Sequence, residues 1–271
     1  MNDIQKKVFE LLEQFVRICE KWDIKYYLVC GSALGAVKYQ GFIPWDDDID
    51  VAMLRDDYER FLKVAPEELP DWCFLQTCDS DPAYPRISAK LRNSNTSFIE
   101  KGVEHLPINH GIYLDIFPLD GYPEHKWERV FFEIRKKIYL WKICCAMSNP
   151  PSIKVCIRNQ IFRFLGYHKR TARTIKKLEK LYMRYPPTTS KIWCNHGNSI
   201  SPKEYSPCWH YEEGTWASFE GLKVRIPKYF DLYFTQKYGE WRKALPEEAQ
   251  RSHHGYLVCD VDTPFTQYIN Q

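Results

Sequence analysis

Between Trp45 and Met53 the chain sets four carboxylates, Asp46, Asp47, Asp48 and Asp50, within five residues and continues through Ile49, Val51, Ala52 and Met53. The apolar residues predict a strand over 49–53 that is buried in a sheet. On a strand, residues i and i+2 point to the same face about 6–7 Å apart, so Asp48 and Asp50 project together. Carboxylates this close repel one another, and a bound cation is the natural compensation. A solvated acidic loop would account for Asp46 and Asp47 but not for acids embedded in an apolar run. The fold must therefore bury the strand while leaving its acidic edge open to a cation.

The elements before it suit an anion. An amphipathic helix over 4–22 leads into a β-rich run, Ile24–Cys30, that stops at Gly31-Ser32 before a helix from Ala33 to Tyr39. A glycine at a helix start lets backbone N–H groups approach a phosphate, and the Ser32 hydroxyl adds a hydrogen bond. A third carboxylate, Asp115, lies between Leu114 and Ile116 in a strand over 111–118 that Pro118 is expected to end. A buried acid needs a partner, either the same cation or a salt bridge to a Lys or Arg. As part of the site, Asp115 would complete the metal shell or take the proton of an acceptor hydroxyl. Lys38, Lys90 and Arg92 are candidates to neutralise phosphate oxygens. Metal and cations together are what phosphoryl transfer chiefly requires.

The coarse order is helix, strand, helix, strand, helix and several strands, an α+β pattern with a short mixed sheet. The chain divides into a core (1–123), a largely helical region (124–185) broken at Asn149-Pro150-Pro151, and a C-terminal lobe (186–271) with helices at 229–238 and 246–250. From Lys126 to Arg184 there are sixteen Lys and Arg against three Glu, a net +13, while the rest of the chain carries −10. Bulky apolar residues interleave with these charges, a composition that suits the surface of an anionic membrane. A basic face packed on the core, or one drawing in an anionic substrate, has the same composition. Ten scattered cysteines and an N-terminus without a signal core fit reduced thiols and a cytoplasmic location. No run of 18 apolar residues exists, so no membrane span is expected. Cys194, His196, Cys208 and His210 could hold zinc, but a Cys-x-His spacing is a poor match to zinc-site patterns. His253-His254 is a candidate acid or base near the C-terminus, with a surface pair the safer reading.

The motifs Gly31-Ser32, Asp48-Ile49-Asp50 and Asp115 resemble the nucleotidyltransferase (DNA-polymerase-β-like) superfamily. More narrowly, Gly31–Val37, Ile43–Asp50 and Gly111–Asp120, with Phe219-Glu220-Gly221, Ile226-Pro227 and Tyr238-Gly239, resemble the LicD family over nearly the whole chain. That resemblance implies transfer of phosphocholine, or a related phospho-alcohol, from a CDP-activated donor to a glycan hydroxyl, with CDP-choline as the leading donor. Fukutin-type proteins are similar and use CDP-ribitol; CDP-glycerol and CDP-ethanolamine are further alternatives. It also implies Mg²⁺ or Mn²⁺ on Asp48, Asp50 and Asp115, a phosphate role for Gly31 and Ser32, and a cell-surface or lipid-linked acceptor rather than nucleic acid. A lipid-linked acceptor would give segment 126–184 a reason to lie at the inner membrane face. Lys38 stands where many members have arginine and lacks the bidentate fork. A nucleotidyltransferase, or a non-catalytic glycan- or membrane-binding protein on the same fold, are the rival readings.

Overall fold

The periodic apolar residues of the first segment form helix α1 (Asp3–Lys21), whose start is closed by a capping box in which Asn2 and Gln5 each accept the other's backbone N–H. Its inner stripe, with Val8, Leu11, Leu12 and Phe15, is wholly buried against the sheet. The computed structural model describes residues 1–148, 152–196, 202–244, 246–252 and 254–269; the expected break at Asn149-Pro150-Pro151 and the residue His253 lie outside them. After α1 come β1 (Tyr27–Leu28), α2 (Cys30–Lys38), β2 (Asp50–Leu54), α3 (Arg55–Glu68), β3 (Cys73–Gln76), β4 (Ala89–Asn93), β5 (Ser97–Glu100) and β6 (Ile112–Gly121). The basic region supplies α4 (Lys126–Cys144), α5 (Ile153–Phe164) and α6 (Thr171–Tyr182). Beyond it lie β7 (Ile192–Asn195), β8 (Tyr205–Pro207), β9 (Thr215–Phe219), β10 (Leu222–Ile226), α7 (Phe230–Tyr238), β11 (Tyr256–Asp260) and α8 (Thr266–Ile269).

The architecture is α+β. Seven strands form a mixed sheet in the order β1-β2-β6-β4-β3, with β7 added to β6 and β8 to β7. Among the described residues, only the central β2–β6 pair of this sheet is parallel. Strand β6 does not stop at Pro118, as the sequence suggested, but runs on to Gly121. Its N–H groups alternate in direction, and that of Asp115 points to β2, donating to Ile49. The missing N–H of Pro118 therefore faces the other edge, between the end of the β4 pairing at Ile116 and the start of the β7 pairing at Leu119, where no ladder bond is lost.

Residues 186–271 share this framework. Phe219, Val224, Ile226, Phe234 and Trp241 belong to the same apolar core as α1 and the central strands. The helix expected over 246–250 is a single 3-10 turn at Glu247–Ala249, and the chain then forms β11, which pairs with β5. A second, smaller cluster lies beneath α4 and α6, around Phe132, Ile175 and Tyr182. All ten cysteines are free.

Candidate metal and phosphate site

The site is built where β1 turns directly into α2. Cys30 adopts φ +52°, a left-handed conformation costly for a non-glycine residue, and its N–H donates to the Tyr233 hydroxyl at 3.2 Å. A Cβ on the next residue, Gly31, would stand 2.7 Å from Asp46 Oδ2, so the acidic loop closes on the helix start only because that residue is glycine. Ser32 Oγ accepts the N–H of Asp50 at 2.8 Å, fixing the first residue of β2 to the first turn of α2. From the other side, Gln5 Nε2 donates to the Asp46 carbonyl at 2.8 Å. The capping residue of α1 thus also holds the backbone of the acidic loop.

Parallel pairing of β2 with β6 sets Asp50 directly beside Asp115. Asp48, Asp50 and Asp115 each offer an oxygen within 4.8 Å of the others'. Burial first, and then Asp50 and Asp115, push the Asp48 carboxyl up to about 7 against the opposing pull of His254. Asp50 is raised for the same reason, by burial and then by Asp115 and Asp46. Asp46 also reaches about 7, through burial and its contact with Asp48. Asp46, Asp48 and Asp50 are thus held back from ionising by burial and by neighbouring acids, and a cation held by the cluster would relieve that repulsion. Hard oxygen ligands from short-spaced carboxylates suit Mg²⁺ or Mn²⁺ in type.

Sequence reasoning set one residue here aside as a surface histidine. His254 Nδ1 lies 2.7 Å from Asp47 Oδ1 and its Nε2 lies 3.4 Å from Asp48 Oδ2. Burial disfavours its charge, but the two carboxylates outweigh that and lift its pKa to about 9. It is only part-exposed, with a side-chain exposure of 31%: pairing of β11 with β5 delivers it, and Ser252 Oγ, 2.7 Å from Asp47 Oδ2, steadies the same carboxylate. Asp47 therefore ties the C-terminal segment to the site, whereas Asp46 lines the cavity beside it.

The three basic candidates separate. Lys90 Nζ lies 3.2 Å from Asp115 Oδ2 and 3.7 Å from Glu100, and 3.0 Å from the centre of the Tyr113 ring. Burial draws its pKa down to about 8 despite those acids. Asp115 therefore has the salt-bridge partner the sequence allowed for and also stands beside Asp48 and Asp50 in the acid cluster. Arg92 is fully buried, with donors to Gln76, the Gly111 carbonyl and Glu100; the structure does not bring it to the cavity, because its guanidinium joins β3, β4 and β5. Lys38 does line the cavity, but its ammonium is directed to the carbonyls of Trp241, Arg242 and Lys243 at 3.2–3.5 Å. Cys194, His196, Cys208 and His210 form no ligand cluster among the described residues; His196 instead stacks on Tyr182 with ring centres 3.8 Å apart.

A cavity of about 320 Å³ opens over Asp46, Asp48 and Asp50. Gly31, Asp46, Asp48, Asp50 and His254 form its polar side, and Tyr39, Trp45, Tyr238 and Trp241 supply aromatic walls. Tyr39 and Trp45 meet edge to face with ring centres 6.4 Å apart.

Residues 23–142, which contain all three acids, match the family model described as "LicD/FKTN/FKRP, nucleotidyltransferase domain". The chain carries a LicD-family domain. Beyond that domain, the likeness extends along 94% of the chain to the lipopolysaccharide cholinephosphotransferase LicD of Haemophilus influenzae, 29% identical over 269 residues and 96% of that protein. An uncharacterised protein of Rickettsia prowazekii is 31% identical over 118 residues, 44% of this chain and 41% of its own length. One from Rickettsia typhi is 35% identical over 60 residues, 22% of this chain and 19% of its own. The LicD domain spans β1 to α4, so the aromatic walls at Tyr238 and Trp241, and His254, come from outside it.

Proposed function

We propose that this chain is a phosphotransferase that moves phosphocholine from CDP-choline to a hydroxyl of a cell-surface or lipid-linked glycan and releases CMP. In this reading Asp48, Asp50 and Asp115 hold Mg²⁺ or Mn²⁺, and residues 1–123 form a nucleotidyltransferase-type core to which 124–185 and 186–271 are added. The observation that carries it is the convergence of three carboxylates from β2, its approach and β6, two of which, Asp48 and Asp50, also line the cavity. The likeness to a lipopolysaccharide cholinephosphotransferase along nearly the whole chain supports the choice of reaction.

A divalent cation here would supply charge neutralisation for the donor's diphosphate. The protein's own residues would do the rest. The α2 start at Gly31 and Ser32 turns backbone N–H groups toward the donor's phosphates. Lys38 fixes the far wall through the 241–243 loop, with a secondary role toward phosphate, and Lys90 orients Asp115 for the metal or for the acceptor's proton. The rings of Tyr39, Trp45, Tyr238 and Trp241 suit a trimethylammonium group, since aromatic faces attract quaternary cations. That wall is the specific observation favouring choline over ribitol or glycerol.

The test is incubation with CDP-choline, Mg²⁺ and a glycan acceptor, followed by mass analysis. Release of CMP and an acceptor heavier by phosphocholine is the expected result. An acceptor carrying the nucleotide would mean nucleotidyl transfer instead, and no binding of Mg²⁺ or any CDP-alcohol would favour a non-catalytic role. Asp48→Asn and Asp50→Asn should each abolish turnover; near-normal rates in both would overturn the metal assignment.

A further inference from the structure

Helix α4 carries apolar residues on its outer as well as its inner face, and α5 carries them mainly on its outer face. On α4, Trp127, Phe131, Ile134 and Ile138 recur at spacings of three and four and so share one face, opposite the buried Phe132, Lys136 and Ile143. That face is open to solvent: Trp127 is 78% exposed and Phe131 65%. On α5, Ile153, Ile157, Ile161 and Phe164 form a second stripe, with Ile153 80% and Phe164 92% exposed. The one buried residue of α5 is polar, Asn159. Polar contacts hold the helix in place, through Asn159 Nδ2 to the Cys144 carbonyl at 3.4 Å and Arg163 to the carbonyls of Cys145 and Met147 at 2.6 and 2.9 Å. A helix that turns its apolar side to water and its polar side to the protein marks an interaction surface.

Charge decides what covers it. Arg135 and Lys137, both exposed, flank the α4 stripe on either side, Lys154 borders the α5 stripe, and residues 126–184 carry a net +13. Two copies meeting through such a face would bring like charges together, whereas an anionic lipid surface is attracted to the cations and receives the apolar side chains. No helix of the described residues is long and apolar enough to cross a membrane, so the stripes would lie in the interface. We infer that α4 and α5 form a docking surface for an anionic lipid bilayer. The inference uses none of the cavity residues and stands whether or not the phosphotransferase reading does. If that reading holds, docking would hold the enzyme where a lipid-linked acceptor is presented.

The test is flotation of the full chain with vesicles of phosphatidylcholine, with and without phosphatidylglycerol, at low and high salt. Binding to the phosphatidylglycerol vesicles at low salt is expected, weakened by salt and by omission of the anionic lipid. Phe131→Ser combined with Phe164→Ser should lower affinity at least about tenfold, given the apolar area each ring would bury. Both sites are exposed, so circular dichroism of the double variant should match the parent. Failure of the parent to float with anionic vesicles at low salt would overturn the inference, as would full binding by the double variant. A concentration-dependent dimer in sedimentation, dispersed by the same substitutions, would overturn it in favour of a protein interface.

Discussion

Replacing Asp48 by Asn should stabilise the metal-free protein while removing its response to metal. Asp48 is largely buried, with 14% of its side chain exposed, and its pKa is raised to about 7 by burial and then by Asp50 and Asp115. An unfolded aspartate titrates near 3.9, so between about pH 4 and 7 the folded state binds the extra proton. The linkage sign follows: this group costs nothing below about pH 4, and its penalty grows through that window to full size above pH 7. Three pKa units correspond to at most about 4 kcal/mol. Loss of the 3.4 Å contact with His254 and coupling to Asp46 and Asp50 reduce the net gain, leaving about 1–3 kcal/mol at pH 8. For a chain of this size that is roughly 2–8 °C in Tm. Thermal melts in EDTA at pH 5 and pH 8 measure it. Asp48→Asn should exceed the parent at pH 8 and lose most of that advantage at pH 5. Mg²⁺ should then raise the Tm of the parent at pH 8 and leave Asp48→Asn nearly unmoved. Equal stability of the two proteins in EDTA at pH 8, or an equal Mg²⁺ shift in both, would refute the reasoning.

Other outcomes follow from single contacts. Gly31→Ala puts a methyl group 2.7 Å from Asp46 Oδ2; turnover should fall at least about tenfold through displacement of the acidic loop, with the circular dichroism spectrum retained. Asp120→Ala leaves Arg55 buried without the partner that its Nε and Nη2 now meet at 2.9 and 2.5 Å, and should cost about 3–5 kcal/mol in urea unfolding. The double change Arg55→Met with Asp120→Leu should recover most of that loss. Trp45→Leu removes one aromatic wall of the cavity and should raise KM for CDP-choline about 5- to 30-fold, from about 1–2 kcal/mol of lost cation–π attraction, with a smaller effect on CDP-glycerol. Equal effects on both donors would argue against a choline subsite at that wall.

What the sequence determined by itself was local. The 3.6-residue period of α1, the Gly-Ser helix start and the alternation of acids with apolar residues at Asp48–Met53 are short-range patterns, each legible because a helix or strand imposes its own period. The family motifs extend that reading to Asp115. Tertiary structure decided which distant groups meet. Register between β2 and β6 puts Asp50 beside Asp115, and no local pattern encodes a pairing across 65 residues. His254 reaches Asp47 from 207 residues away because β11 adds to β5, and its only local signal was a histidine before an apolar run. The same long-range packing takes Arg92 away from the cavity into a buried network, since a basic residue on a central strand must satisfy its charge within the sheet. It also leaves the apolar faces of α4 and α5 in solvent. Composition revealed the mixture of charge and bulk in that segment; only the packed fold shows which side each helix turns outward.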